Sequence, residues 1–178
     1  MRYSDIKQHL RPYLITGRRT TTINHAFAAA IAPFDEYDEE RVKKALRLLG
    51  QDPDSEILCA YCGSPAETWD HVHATVRKTK FSGHGHRVGN LLPCCKPCNS
   101  KKGSKDWQVF LKRLAITEPE RNQREGRIAA YLKEFLVSDD IPEHLPEYAE
   151  LQQLRLEVLK IFKRADELAK SIREKSRK

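Results

Sequence analysis

The chain has 178 residues, 39% hydrophobic and 32% charged, with a net charge of +7. That length fits one domain, or a compact core with helical additions. No apolar run approaches the ~20 residues of a membrane-spanning helix, and the first residues lack the apolar stretch of a secretory signal. A cytoplasmic protein without membrane contact is therefore expected.

Residues 1–56 read as a helical region. Ser4 can cap a short helix carrying Ile6 and Leu10. Thr22 or Asn24 can open a second over 26–31, stopped by Pro33. A third is predicted over 37–49, with Val42, Ala45, Leu46 and Leu49 on one face and Gly50 as the stop. Residues 51–56 form a turn-rich connector. Ile57-Leu58 and 69–74 are strand candidates, 80–89 is a glycine-rich loop, and Leu91-Leu92-Pro93 is a brief apolar stretch. A helix should start at the second cysteine pair and break near Gly103. Ser104 can cap the next, through Trp107, Phe110, Leu111 and Leu114. Thr117 and Pro119 mark a strong start for a helix reaching Leu136. After a break over 138–142, one long helix runs from Pro146 to Arg177. Its Leu151, Leu154, Val158, Ile161, Ala165, Leu168 and Ile172 alternate spacings of three and four, a heptad seam. That seam either packs on the same chain or joins two copies. The expected fold is α+β, mostly α-helical, divided into 1–56, a core over 57–115, and C-terminal helices over 116–178.

Cys59-x-x-Cys62 and Cys95-x-x-Cys98 stand 32 residues apart. Two such turns present four sulfurs, the donor set that structural Zn²⁺ prefers. A disulfide framework would require an oxidising compartment, and a redox motif would supply only one such pair. Cys94 is the odd cysteine, expected as a buried free thiol.

Charge is concentrated on the same stretch. From His71 to Arg113 there are ten Lys and Arg against Asp106 alone, leaving 22 basic and 24 acidic residues elsewhere. Either this is a solvated basic face, or it attracts a polyanion in a salt-dependent way.

Trp69-Asp70-His71-Val72-His73, Gly89-Asn90-Leu91-Leu92-Pro93 and the run from Cys95 to Gly103 together resemble the HNH nuclease family, over about 45 residues. The resemblance implies a ββα-metal core holding one catalytic cation, with structural zinc on the cysteines. It implies that His71 is the general base, that Asp70 and Asn99 are ligands of a catalytic Mg²⁺ or Mn²⁺, and that Asn90 braces the loop. Asn99 stands where many members carry histidine, making this an H-N-N version. DNA is the implied substrate, cut by a metal-dependent endonuclease of restriction, nicking, homing or phage-associated type. Lys78, Lys80, Arg87, Lys101, Lys102 and Lys105 are candidate phosphate contacts.

The chemistry is coherent on its own terms. Phosphodiester hydrolysis requires a base with a pKa near neutrality and a cation to offset charge on the leaving oxygen. Adjacent strand residues point to opposite faces, so Asp70 and His71 reach one metal only at a bend or strand end. His73 can share the His71 face, whereas His84 and His86 lie near phosphate or in solvent. Trp69 and Trp107 are expected in the core. A zinc module that binds nucleic acid without cutting it is one alternative. A structural protein organised by the helical tail is another.

Overall fold

The computed structural model describes residues 3–176. It is α+β, with helix over 53% of the chain and two small antiparallel sheets. Its contacts divide it into two units: Ile31–Ile141, and the segments up to Ala30 and from Pro142. The expected boundaries at 56 and 115 fall inside the larger unit. The reason is burial. The cysteines and strands cannot cover themselves, and Ala45, Leu49, Ile128, Tyr131 and Phe135 from two flanking helices complete their core.

In the larger unit, α2 (Glu39–Leu48) follows α1 (Ile15–Ala29) of the smaller unit in chain order and starts at Asp38, whose carboxylate accepts from the Arg41 N–H. Gly50, at φ 72°, turns the chain out of this helix, a conformation that favours glycine. Strand β1 (Thr68–His71) pairs antiparallel with β4 (Leu91–Cys94), placing Asp70 opposite Leu92 and His71 opposite Leu91. Between them β2 (Val76–Arg77) and β3 (Lys80–Phe81) form a hairpin. Its turn residues Lys78 and Thr79 both have positive φ without a glycine, so no turn signature marks it in the sequence.

Helix α3 (Lys96–Lys102) follows β4 directly and ends at Gly103, φ 51°. It packs on β1, giving a two-strand, one-helix unit. Helix α4 (Trp107–Leu111) is capped by Asp106, which accepts from the Gln108 and Val109 N–H groups, rather than by Ser104. Helix α5 (Glu118–Phe135) opens on a reciprocal capping box between Thr117 and Glu120. Its Ile128, Tyr131 and Phe135 are buried at helical spacing, and the Tyr131 hydroxyl reaches the Val88 and Leu91 carbonyls.

The smaller unit is an antiparallel pair of α1 (Ile15–Ala29) and α6 (Pro146–Lys175). Helix α1 begins well before Thr22. Its free N–H groups at Ile15 and Thr16 donate to the Asp166 carboxylate, at 2.7 and 3.0 Å, so the cap comes from the other helix. Near the opposite end Arg155 donates to buried Asn24 at 2.7 Å. The heptad seam of α6 splits: Leu151, Val158 and Ala165 are partly buried, while Leu154, Ile161, Leu168 and Ile172 are exposed. Residues Tyr3–Gln8 form a 3-10 helix. Among the described residues no helix is long and apolar enough to cross a membrane.

Candidate metal centre and histidine face

The Cys59 and Cys62 turn docks on β4, with the Ala60 N–H donating to the Pro93 carbonyl at 2.9 Å. The Cys95 and Cys98 pair starts α3. Their four Sγ atoms all lie within 4.8 Å of one another, and Cys62 and Cys95 are 3.6 Å apart. A tetrahedral Zn–S site with bonds of ~2.3 Å needs sulfurs about 3.8 Å apart, so this cluster could hold zinc with little movement. Burial pushes the Cys95 and Cys98 thiols up. A dication would reverse that cost by favouring thiolates.

Cys94 lies outside this set. It is fully buried, 4.0 Å from the Cys59 sulfur, and its thiol is held well above the ordinary range by that contact and then by burial. The same contact lowers Cys59 to about 4, which suits Cys59 to be a ligand and Cys94 its hydrogen-bonding neighbour.

The alternation of β1 decides the rest of the site. Asp70 points inward and is only 3% exposed. Its carboxylate accepts from the Tyr61 hydroxyl at 2.8 Å and pairs with the Lys102 ammonium at 3.0 Å. Lys102 is itself fully buried and also donates to the His71 carbonyl at 2.8 Å, tying α3 to β1. Burial raises the Asp70 pKa, and the Lys102 charge and Tyr61 hydrogen bond oppose that rise. Lys102 also donates to the other Asp70 oxygen at 3.3 Å, so both oxygens are engaged in the frame, on the face away from His71. Sequence reasoning did not find Tyr61 or Lys102 as partners, and no local pattern marks them.

On the other face, His71 Nε2 lies 2.9 Å from His86 Nδ1, one ring donating to the other. Burial, then the His86 and Lys102 charges, holds His71 below the ordinary histidine value, which favours the neutral ring. His73 and His84 stack at 4.5 Å, and burial lowers both. Asn90 secures this arrangement. Its buried amide donates to the His73 and Gly85 carbonyls, both at 3.0 Å, and accepts from the His73 N–H at 2.8 Å. The loop carrying His84 and His86 is therefore clamped beside β1. Asn99 is partly buried, one turn before Lys102 on α3. Apart from the four cysteines, no His, Cys, Asp and Glu groups converge as a metal ligand set among the described residues.

The candidate phosphate contacts divide. Lys78, Lys80, Lys101 and Lys105 are exposed, the last folding back onto the Lys101 and Lys102 carbonyls. Arg87 instead forks onto Asp139 and Asp35, and Lys102 is interior. Trp107 is in the core as expected. Trp69 is not: it shares the outward face of β1 with His71 and is 48% exposed, because Asp70 takes the inward position. His86 had no signal beyond its loop, and its contact with His71 exists only in the folded chain.

Comparison with protein-family models, with curated proteins and with solved structures finds no match to this chain.

Proposed function

We propose that this protein is an endonuclease of the HNH type that hydrolyses DNA phosphodiester bonds. The observation carrying this reading is His71: a neutral imidazole on the outer face of a strand–strand–helix unit, oriented by a second histidine, within the most basic stretch of the chain. A neutral histidine can take a proton from water as it attacks phosphorus. His86 fixes the ring, and Asn90 holds the loop that supplies His86. Exposed Lys78, Lys80 and Lys101 offer charge for the DNA backbone, so affinity should fall steeply with salt. Zinc on the four cysteines would fix the turn from β4 into α3.

Mg²⁺ or Mn²⁺ dependence belongs to the proposal and is read out separately, because Asp70 does not fit the ligand role the resemblance gives it. Magnesium commonly takes only one or two protein ligands and completes its shell with water and phosphate oxygens. Asn99 remains the candidate ligand.

The withdrawal of Asp70 favours a second reading, a zinc-organised module that binds DNA without cutting it. One experiment separates the two. Supercoiled plasmid is incubated with the zinc-loaded protein, with and without Mg²⁺ or Mn²⁺, beside a His71→Ala variant. Cation-dependent nicking lost in the variant supports the nuclease. Salt-sensitive binding with no cleavage under any condition supports the module.

A further inference from the structure

Beside the histidine face lies a cavity of about 310 Å³. Its floor is apolar, including Val42, Leu46 and Leu91, and Trp69, Tyr37 and His86 form part of its wall. We propose that this cavity is a base-binding subsite, receiving one unstacked nucleobase of the strand whose phosphate meets His71. The inference rests on the proposed encounter of that face with nucleic acid.

Three observations carry it. Trp69 and His71 are two residues apart on one face of β1, and a strand rises ~3.3 Å per residue, so the two side chains leave the strand about 7 Å apart. His86 links the two places directly, lining the cavity while touching His71. Second, the aromatic rings are available: Trp69 is 48% exposed and Tyr37 82%. Any base can stack on such surfaces, because every base has a π-face.

Third, the charge at the mouth selects a base over a phosphate. Asp35, Glu36 and Asp38 line it. Asp35 is already paired with Arg41 and Arg87, and Asp38 caps α2. Glu36 is exposed at the rim. Carboxylates repel a phosphate but accept from the exocyclic amino groups of bases, as they do from cytosine N4. An apolar slot with aromatic walls and an acidic lip fits a ring bearing an amino edge.

The chain has two tryptophans, and Trp107 is buried, so Trp69 reports on the cavity by fluorescence. Zinc-loaded protein carrying His71→Ala is titrated with a single-stranded oligodeoxynucleotide and with the same strand made entirely abasic. The expected results are quenching of Trp69 by the first alone, and about tenfold weaker oligonucleotide binding on adding Trp69→Ala or Tyr37→Ala, with abasic binding unchanged. Equal quenching by the abasic strand would overturn the subsite, as would undiminished affinity in both aromatic variants. Oligonucleotide binding without quenching likewise overturns only the subsite. Quenching by DNA that the unmodified protein never cuts instead leaves the subsite standing and removes the nuclease reading.

A separate observation concerns α6. Its exposed Leu154, Ile161, Leu168 and Ile172 form one stripe along the helix. Exposed Glu157 and Arg164 flank that stripe on one side, with acid toward the start of α6 and base toward its end. We infer that a second copy of this chain covers the stripe, with the two α6 helices antiparallel about a twofold axis near Ile161. That axis brings Leu154 opposite Leu168 of the second copy and pairs Glu157 with its Arg164 twice over, a self-complementary arrangement. Light scattering should give a homodimer, and Ile161→Glu a monomer with unchanged helicity. Glu157→Arg should weaken the dimer, and Glu157→Arg with Arg164→Glu should restore it. A monomeric natural chain, or a dimer indifferent to Ile161→Glu, would overturn the inference.

Discussion

The two ends of the strand–strand–helix unit are built on opposite plans. At the cysteine end four donors converge, three of them buried, on a volume the size of one ion. At the histidine end four rings pair off two by two, and the Asp70 carboxylate turns inward to a lysine. Convergent, desolvated donors define a site whose binding energy is folding energy. Paired, half-buried rings contribute less to the fold, and an imidazole among them can still exchange a proton. The same short sequence thus separates what holds the unit together from what the unit can do.

The sharpest test of that contrast is removal of one thiolate. Cys62→Ala should lose the zinc and the cooperative melting of the larger unit, since structural zinc contributes about 10–16 kcal/mol in small fingers. Cys94→Ala should keep the metal. Metal analysis with thermal melting checks both, and a zinc-free natural protein that melts cooperatively would break the comparison. Next comes the inward carboxylate. Lys102→Met leaves Asp70 buried without its counter-charge, and should cost about 3–5 kcal/mol in a denaturant titration. Replacing Asp70 with Leu in the same chain should recover most of it. If Lys102→Met were neutral, Asp70 would be free for another role.

Smaller effects come from the histidine face. His71, His73 and His84 are all held below the ordinary histidine pKa, chiefly by burial. The unfolded chain therefore binds protons first as the pH falls below about 6.5, so stability should decline from there through the folded values. Urea midpoints at pH 7 and 5.5 measure the slope, and His84→Gln should flatten it. The smallest effect is at Asp166, whose carboxyl is lowered mainly by the Thr16 N–H. Its contribution is present above the usual aspartate pKa and lost as pH falls through the folded one. Asp166→Ala should fray the start of α1, seen as faster amide exchange at Ile15 and Thr16, with the larger unit unchanged.

The parts of the fold legible in the sequence are those written locally. Asp38, Thr117 with Glu120, Gly50 and Gly103 mark helix ends within a turn of where they act, and the paired C-x-x-C spacing announces a four-sulfur cluster. Most of what escaped was supplied from far along the chain. Helix α1 starts early because Asp166 caps it, and the β2–β3 turn lacks the glycine that would betray it. At the candidate site, strand alternation already required Asp70 and His71 to diverge. Which of them turned inward depended on Tyr61 and Lys102, and the partner of His71 on a loop closed by Asn90. Those contacts follow from packing rather than from any motif.

On the proposed reading the outward histidine performs chemistry, while the inward aspartate, paired with Lys102, supports the frame. Plasmid nicking by matched, folded His71→Ala and His71→Gln proteins tests it most directly, with DNA affinity and melting temperature measured on the same samples. Cation-dependent nicking should fall by at least a hundredfold, with binding and melting close to those of the natural chain. Full nicking activity in either variant would contradict it.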